Sequence, residues 1–174
     1  MLIHERSVTR EYASRIFKIV RRHVRGGRFE IVNHNVVRVG TSKHRRSYAI
    51  LCNDLPIAWL YLWRRPGWIA WEVIQIFVIS SYRSFGYAKA LYRAAIHDDN
   101  IMIASGTSHT RSSRALWESF VRDELFDVYA IDFKNLESRA QVYIEDNELQ
   151  CSLPLYEEVG YETMDVRLVA TRKL

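Results

Sequence analysis

The residues best suited to chemistry are Arg83, Gly86 and Ala88, which follow an apolar run ending at Ile79. A buried strand that runs into such a turn, with a helix opening behind it, makes an anion cradle. The N–H groups of a first helical turn lack intrahelical acceptors and sit at the positive end of the helix dipole. Gly86 and Ala88 lack bulk, so a pyrophosphate can approach the backbone there. Glu72 is the second such residue, the one acid within the apolar residues 68–79. A buried carboxylate needs a reason. One reason is structural: a strand-edge glutamate paired with Arg64 or Arg65 across a hairpin.

These groups must be positioned by elements that the pattern predicts. Residues 7–24 read as an amphipathic helix, with Tyr12, Ile16, Phe17, Val20 and Val24 at helical spacing and Arg10, Arg15, Lys18, Arg21 and Arg25 opposite. Gly26 and Gly27 end it. A short strand fits residues 36–39. Strands at 48–52 and 57–63 flank the turn dipeptide Asn53-Asp54 and form a hairpin. A turn at Arg65-Pro66-Gly67 leads to a third strand, 68–79, apolar on both faces as a covered central strand would be. A helix fits 84–97, with Ala88, Leu91, Tyr92 and Ala95 inward. A buried strand at 101–104, a helix at 112–122 and strands at 127–132 and 165–171 complete the reading. That order predicts an α+β, three-layer arrangement rather than a doubly wound sheet.

The bulk properties narrow the class. With 174 residues, 48% hydrophobic and 26% charged, one globular domain spanning 1–174 is expected. Residues 1–6 are charged too early for a signal peptide, and the longest apolar run is too short for a bilayer. Cys52 and Cys151 make neither a disulfide framework nor a zinc site, which points to a reducing, cytoplasmic setting. The net charge of +5 permits an acidic, phosphate-rich or nucleic-acid partner without choosing among them. The six histidines show no metal-ligand spacing, so no metal is expected.

The stretch from Ile76 to Ala88 resembles the GNAT (GCN5-related N-acetyltransferase) superfamily, whose signature is Gln/Arg-x-x-Gly-x-Gly/Ala after the fourth strand. Arg83, Gly86 and Ala88 match it in place, while Ser84 stands where many members carry another glycine. The resemblance covers roughly residues 48–132 and implies a single GNAT-like domain: a mixed, mostly antiparallel central sheet flanked by helices. It also implies an acetyl-coenzyme A site at Arg83, Ser84, Phe85, Gly86, Tyr87 and Ala88, with Phe77, Val78 and Ile79 beside the pantetheine arm and the thioester carbonyl. Several members place a general base eleven positions before the signature, where Glu72 stands. The family helix Asn-x-x-Ala-x-x-Leu-Tyr corresponds to residues 110–117, with Thr110, Ser113 and Trp117 departing from it. Trp117 replaces the tyrosine that often protonates the departing thiolate, and indole cannot act as that acid. Tyr156, in a second stretch similar to that motif, is the alternative acid. A helix carrying tryptophan there is also similar to small GNAT-like proteins of tailed bacteriophages, which would place the protein in the host cytoplasm.

Three functions compete on this reading. The first is an acetyl-CoA-dependent N-acetyltransferase acting on a primary amine of a small molecule or protein. The second is a GNAT-fold binding module that inhibits or redirects a partner protein, with acyl-CoA binding vestigial or regulatory. The third and weakest is a nucleic-acid binder using the arginine-rich first helix, whose mark would be steep salt dependence. No membrane partner is expected, and a homodimer is compatible with a strand-rich member.

Overall fold

The computed structural model describes residues 17–40, 42–106, 110–153 and 166–173. Helix α1 occupies residues 17–25, so the predicted start near residue 7 lies outside the described residues. Gly27 ends it in the left-handed region (φ 65°), its N–H bonded to the Val24 carbonyl.

Strands β1 (Phe29–Ile31), β2 (Val36–Val39), β3 (Arg45–Cys52), β4 (Leu55–Trp63) and β5 (Trp71–Val78) form an antiparallel meander. The β3–β4 turn is built by Asn53 (φ 50°) and Asp54 (φ 59°), the paired positive angles that let a two-residue loop follow the strand twist. Beyond β5 the chain forms α2 (Tyr87–Arg93, ending in a π-helical turn, Ala94–Asp98), β6 (Ile103–Ala104), α3 (Arg111–Val121) and β7 (Phe126–Asp132). Next come β8 (Arg139–Gln141), β9 (Tyr143–Glu145), β10 (Glu148–Gln150) and β11 (Val166–Arg172). The main sheet runs β1-β2-β3-β4-β5-β6-β11-β7-β8 and is antiparallel except for β5 beside β6; β9 and β10 pair separately. The predicted α+β class and mixed, mostly antiparallel sheet are both present.

Several boundaries differ from expectation, two of them for clear physical reasons. β5 begins at Trp71 rather than 68, because Arg65 to Trp68 closes a β-turn. Pro66 and Gly67 (φ 81°) hold its central positions, and the Trp68 N–H donates to the Arg65 carbonyl at 3.1 Å. Helix α2 begins at Tyr87 rather than 84, because Ser84 (φ 67°) and Gly86 (φ 79°) are both left-handed and cannot lie in a helix.

Side chains alternate across the sheet and bury both faces. Tyr48, Leu60, Leu62, Leu91, Tyr92, Ile96, Trp117, Phe120 and Phe126 join in the larger core, beneath α2 and α3. Val20 and Val24 of α1 meet Val37, Val39, Ala49 and Trp59 on the other face.

Asp99, just after the π-turn, ties the helical layer to the meander. It accepts from Arg38 Nη1 at 2.5 Å and from the Tyr48 hydroxyl at 2.7 Å, with Arg46 Nη1 at 3.7 Å. Burial, then the bond to Asp99, pushes the Tyr48 hydroxyl well above the ordinary phenol range. Removing the carboxylate strands that hydroxyl and leaves the Arg38 guanidinium with Glu30 alone. Asp99→Ala is therefore expected to cost about 2–3 kcal/mol in urea denaturation. Asp99→Asn, which keeps one acceptor, should recover part of it.

Candidate functional site

Strand β5 pairs with β6 only at Trp71 with Ile103 and at Glu72 with Ala104. There the two part: β6 ends, and the Ser105 N–H turns to the Leu168 carbonyl of β11 at 2.7 Å. Among the described residues no strand pairs with the second half of β5 on this side, and the start of α2 and the first turns of α3 close round the gap. The result is a cleft of ≈ 710 Å³, within the range of sites for small molecules and cofactors.

Ile76, Phe77 and Val78 line one wall, Arg83 to Lys89 apart from Phe85 line the end, and Thr110, Ser112, Ser113, Leu116 and Ser119 line the other wall. Helix α3 is started by Thr110, whose Oγ1 accepts the Ser113 N–H at 3.2 Å. Thus the first turns of two helices open on one cleft, each with amides that have no acceptor inside the helix. The described lining carries two cations, Arg83 and Lys89, and no carboxylate.

Lys89 is held at 2.6 Å from Asp123. Burial pushes the Asp123 carboxyl up, but the bonds from Lys89 and the Leu125 N–H outweigh it and leave the carboxyl below its ordinary range. Arg83 Nε donates to the Val78 carbonyl at 3.2 Å, which fixes the guanidinium over the end of β5. Gly86 has open space where a Cβ would stand. Ser84 occupies a left-handed conformation (φ 67°) that glycine adopts without strain.

The ladder decides which β5 amides face the gap. Pairing shifts between Tyr61 with Gln75 and Leu62 with Val73, so Ile74 is an extra, bulged residue. The Ile79 N–H donates to the Ile57 carbonyl at 2.9 Å, across to β4. In an antiparallel pair successive residues turn their main-chain groups to alternate sides. Hence Phe77 also faces β4, and Ile76 and Val78 face the gap. Of the amides across 77–79, those of Phe77 and Ile79 are therefore turned to β4, and that of Val78 faces the gap, as does that of Ile76. Ile79 and Phe85 do not line the cleft; the Phe85 ring is 71% exposed at the loop tip.

Glu72 is 3% exposed and lies opposite Trp63 on the sheet face that α1 partly covers. Of the two arginines considered, it pairs with Arg65: Nε to Oε2 at 2.7 Å and Nη2 to Oε1 at 3.1 Å. The pairing read as one alternative is present. Trp117 is 1% exposed and packed edge-on to Tyr92 and Phe120 (ring centroids 6.0 and 5.5 Å apart), inside the core and away from the cleft. Tyr156 lies outside the described residues.

No protein-family model matches the chain, and no curated protein does. Solved structures do. Among them are acetyltransferases, three of them described as of the GNAT family. An IAA acetyltransferase from Bacillus cereus is 17% identical, covering 75% of this chain and 79% of its own, with a TM-score of 0.41. A GNAT family acetyltransferase from Staphylococcus aureus is 14% identical over 74% of this chain and 68% of its own, at 0.40. A third, from Elizabethkingia anophelis with acetyl-CoA bound, is 12% identical over 75% and 77%, at 0.37.

Sequence reasoning missed Tyr82, Lys89, Ser112, Leu116 and Ser119 as cleft residues. For α3 a signal existed: 112, 116 and 119 recur at helical spacing, about 100° round the helix from the core face of Trp117 and Phe120. For Tyr82 none did, since its hydroxyl contacts Cys52 Sγ at 3.9 Å, thirty positions away. Among the described residues no group of His, Cys, Asp and Glu could hold a metal, and no helix is long and apolar enough to cross a membrane.

Proposed function

We propose that the chain is an acetyl-CoA-dependent N-acetyltransferase of GNAT type that acetylates a primary amine. The observation that carries the reading is the cleft beside the parted strand. Two helix starts and two cations line it with no described carboxylate, and a strand wall that turns the Ile76 and Val78 N–H groups away from β4 continues it.

These residues fit a ligand with a phosphate-rich end and an extended arm. The amides from Ser84 to Ala88, with Arg83, would hold the pyrophosphate as charge-assisted bonds. The Ile76 and Val78 main chain would meet the arm as a neighbouring strand would. When bound, acetyl-CoA supplies an activated acetyl thioester, exchanged for an amide with release of a thiol. The gap-facing N–H groups of Ile76 and Val78 are the donors proposed to polarise the carbonyl. Glu72 is proposed to take the proton from the amine through water once Arg65 has left it, and Tyr156 to be the thiolate's proton donor. Tyr82 and Tyr87 are the tyrosines of the described cleft. The Tyr82 hydroxyl is held above its ordinary range, first by its bond to Cys52.

The test is release of free thiol from acetyl-CoA in the presence of a panel of primary amines. Amine-dependent release above the hydrolysis background is expected. If acetyl-CoA binds and no amine accelerates release, the second reading stands: a binding module with a regulatory coenzyme site. The burial of Trp117 where an acid would be placed favours that alternative.

A further inference from the structure

Arg65 is surrounded as a bound ligand would be. Its guanidinium carbon lies 4.8 Å from the Trp68 ring centre and 5.5 Å from that of Trp63, and its nitrogens grip both oxygens of Glu72. Phe133 stacks on Trp68 with centroids 3.9 Å apart, bracing that wall from the far half of the sheet. Two aromatic faces and one carboxylate make a cation cage, and here it holds a cation from the chain itself. The occupant is tethered to an exposed turn: the Arg65 side chain is 39% exposed, whereas that of Glu72 is 4% exposed.

We propose that the Trp63–Trp68–Glu72 cage is a site for a cationic ligand, an alkylammonium or alkylguanidinium, which enters by displacing Arg65. Electrostatics select that class. A neutral molecule that pushed Arg65 aside would leave a buried carboxylate unpaired, which is heavily penalised. A cation exchanges one pairing for another and keeps both ring contacts, so the exchange is nearly balanced. The displaced arginine loses little, because it swings into water from a turn already at the surface. The cage stands where β5 and β6 part, since Glu72 and Ala104 are the last pair before the gap. Four residues of strand, about 13 Å, separate it from Ile76 on the cleft wall.

As the acceptor site of the proposed transfer, this inference rests on that reading for its role and defines the acceptor as a cation. The binding itself does not need the coenzyme. Arg65 then acts as a built-in stand-in for the substrate, and Glu72 is never left without a positive partner.

The experiment titrates wild type and Arg65→Met with n-butylammonium, n-butylguanidinium and neutral butyramide, without coenzyme, following tryptophan fluorescence. Met retains the packing of the arginine stem while freeing the cage. At least tenfold tighter binding of the two cations by Arg65→Met is expected, with loss of that gain in Arg65→Met/Glu72→Gln and no binding of butyramide. Equal affinity in wild type and a folded Arg65→Met, or binding of butyramide as tight as the cations, would overturn the proposal. Should Arg65→Met fail to fold, Arg65→Lys keeps a charge but loses the two-pronged grip. Binding at least threefold tighter than wild type then supports the exchange, and unchanged affinity sinks it. Coenzyme binding is measured separately, so failure of the cage leaves the transferase reading standing, and the converse holds.

Discussion

Trp117→Ala is expected to lower the free energy of unfolding by about 3–5 kcal/mol, the largest stability effect of any substitution considered. The indole is 1% exposed, and Tyr92, Phe120 and Phe126 continue the cluster, with Phe120 and Phe126 centroids 4.9 Å apart. These rings join α2, α3 and β7, so a cavity here loosens three elements that cannot close over it independently. Burial alone drives the Tyr92 hydroxyl well above the ordinary phenol range, a sign that little water reaches this region. Urea denaturation followed by far-UV circular dichroism reads the loss, and Trp117→Phe should cost less than half as much. Trp117→Tyr carries a sharper message. It places a hydroxyl in the core rather than in the cleft, so it should destabilise without raising any transferase rate. A rate increase would show that residue 117 reaches the reacting atoms after all.

The second large effect is on binding. Arg83→Glu combined with Gly86→Trp should weaken coenzyme A binding by roughly 100-fold or more. Losing two charge-assisted bonds removes on the order of 3 kcal/mol, and every 1.4 kcal/mol is tenfold in affinity. Reversal of charge at residue 83 acts on one of two cations in the described lining. A side chain at residue 86 fills the open space where its Cβ would stand. Gly86 is also left-handed, so the variant carries strain of about 1–2 kcal/mol, which circular dichroism and a melting curve must bound before the affinity is read. Gly86→Ala alone, with the same backbone strain but little bulk, separates the two contributions.

How far the site was legible depends on the range of the physics involved. The Asn53-Asp54 turn and the apolar run of residues 57–63 are local, and both strands are present, each begun two or three residues earlier than read, at Arg45 and Leu55. The loop from Arg83 to Ala88 was legible for the same reason, since glycine and alanine before a helix mark a close approach of backbone. The three-residue strands Arg139–Gln141, Tyr143–Glu145 and Glu148–Gln150 were not, because segments so short and so charged show no period. The misassigned Ile79 amide depends on ladder parity and on the bulge at Ile74, which composition does not encode. The choice of Arg65 over Arg64 for Glu72 depends on the turn through Pro66 and Gly67; Arg64 instead donates to the Trp68 carbonyl at 3.2 Å. Glu72 itself could be singled out from one observation, an acid among apolar residues, yet the two rings around its partner, Trp63 and Trp68, depend on the turn between them and on Phe133, which braces Trp68 from a distant segment.

The measurement that tests the central claim most directly is calorimetric titration of the wild-type protein with acetyl-CoA and with coenzyme A. A cleft built for this ligand predicts saturable, one-to-one binding of both, abolished in Arg83→Glu/Gly86→Trp and weakened by salt as phosphate contacts are screened. Absence of heat with a folded sample at millimolar ligand, or binding unchanged in the double variant, would contradict it.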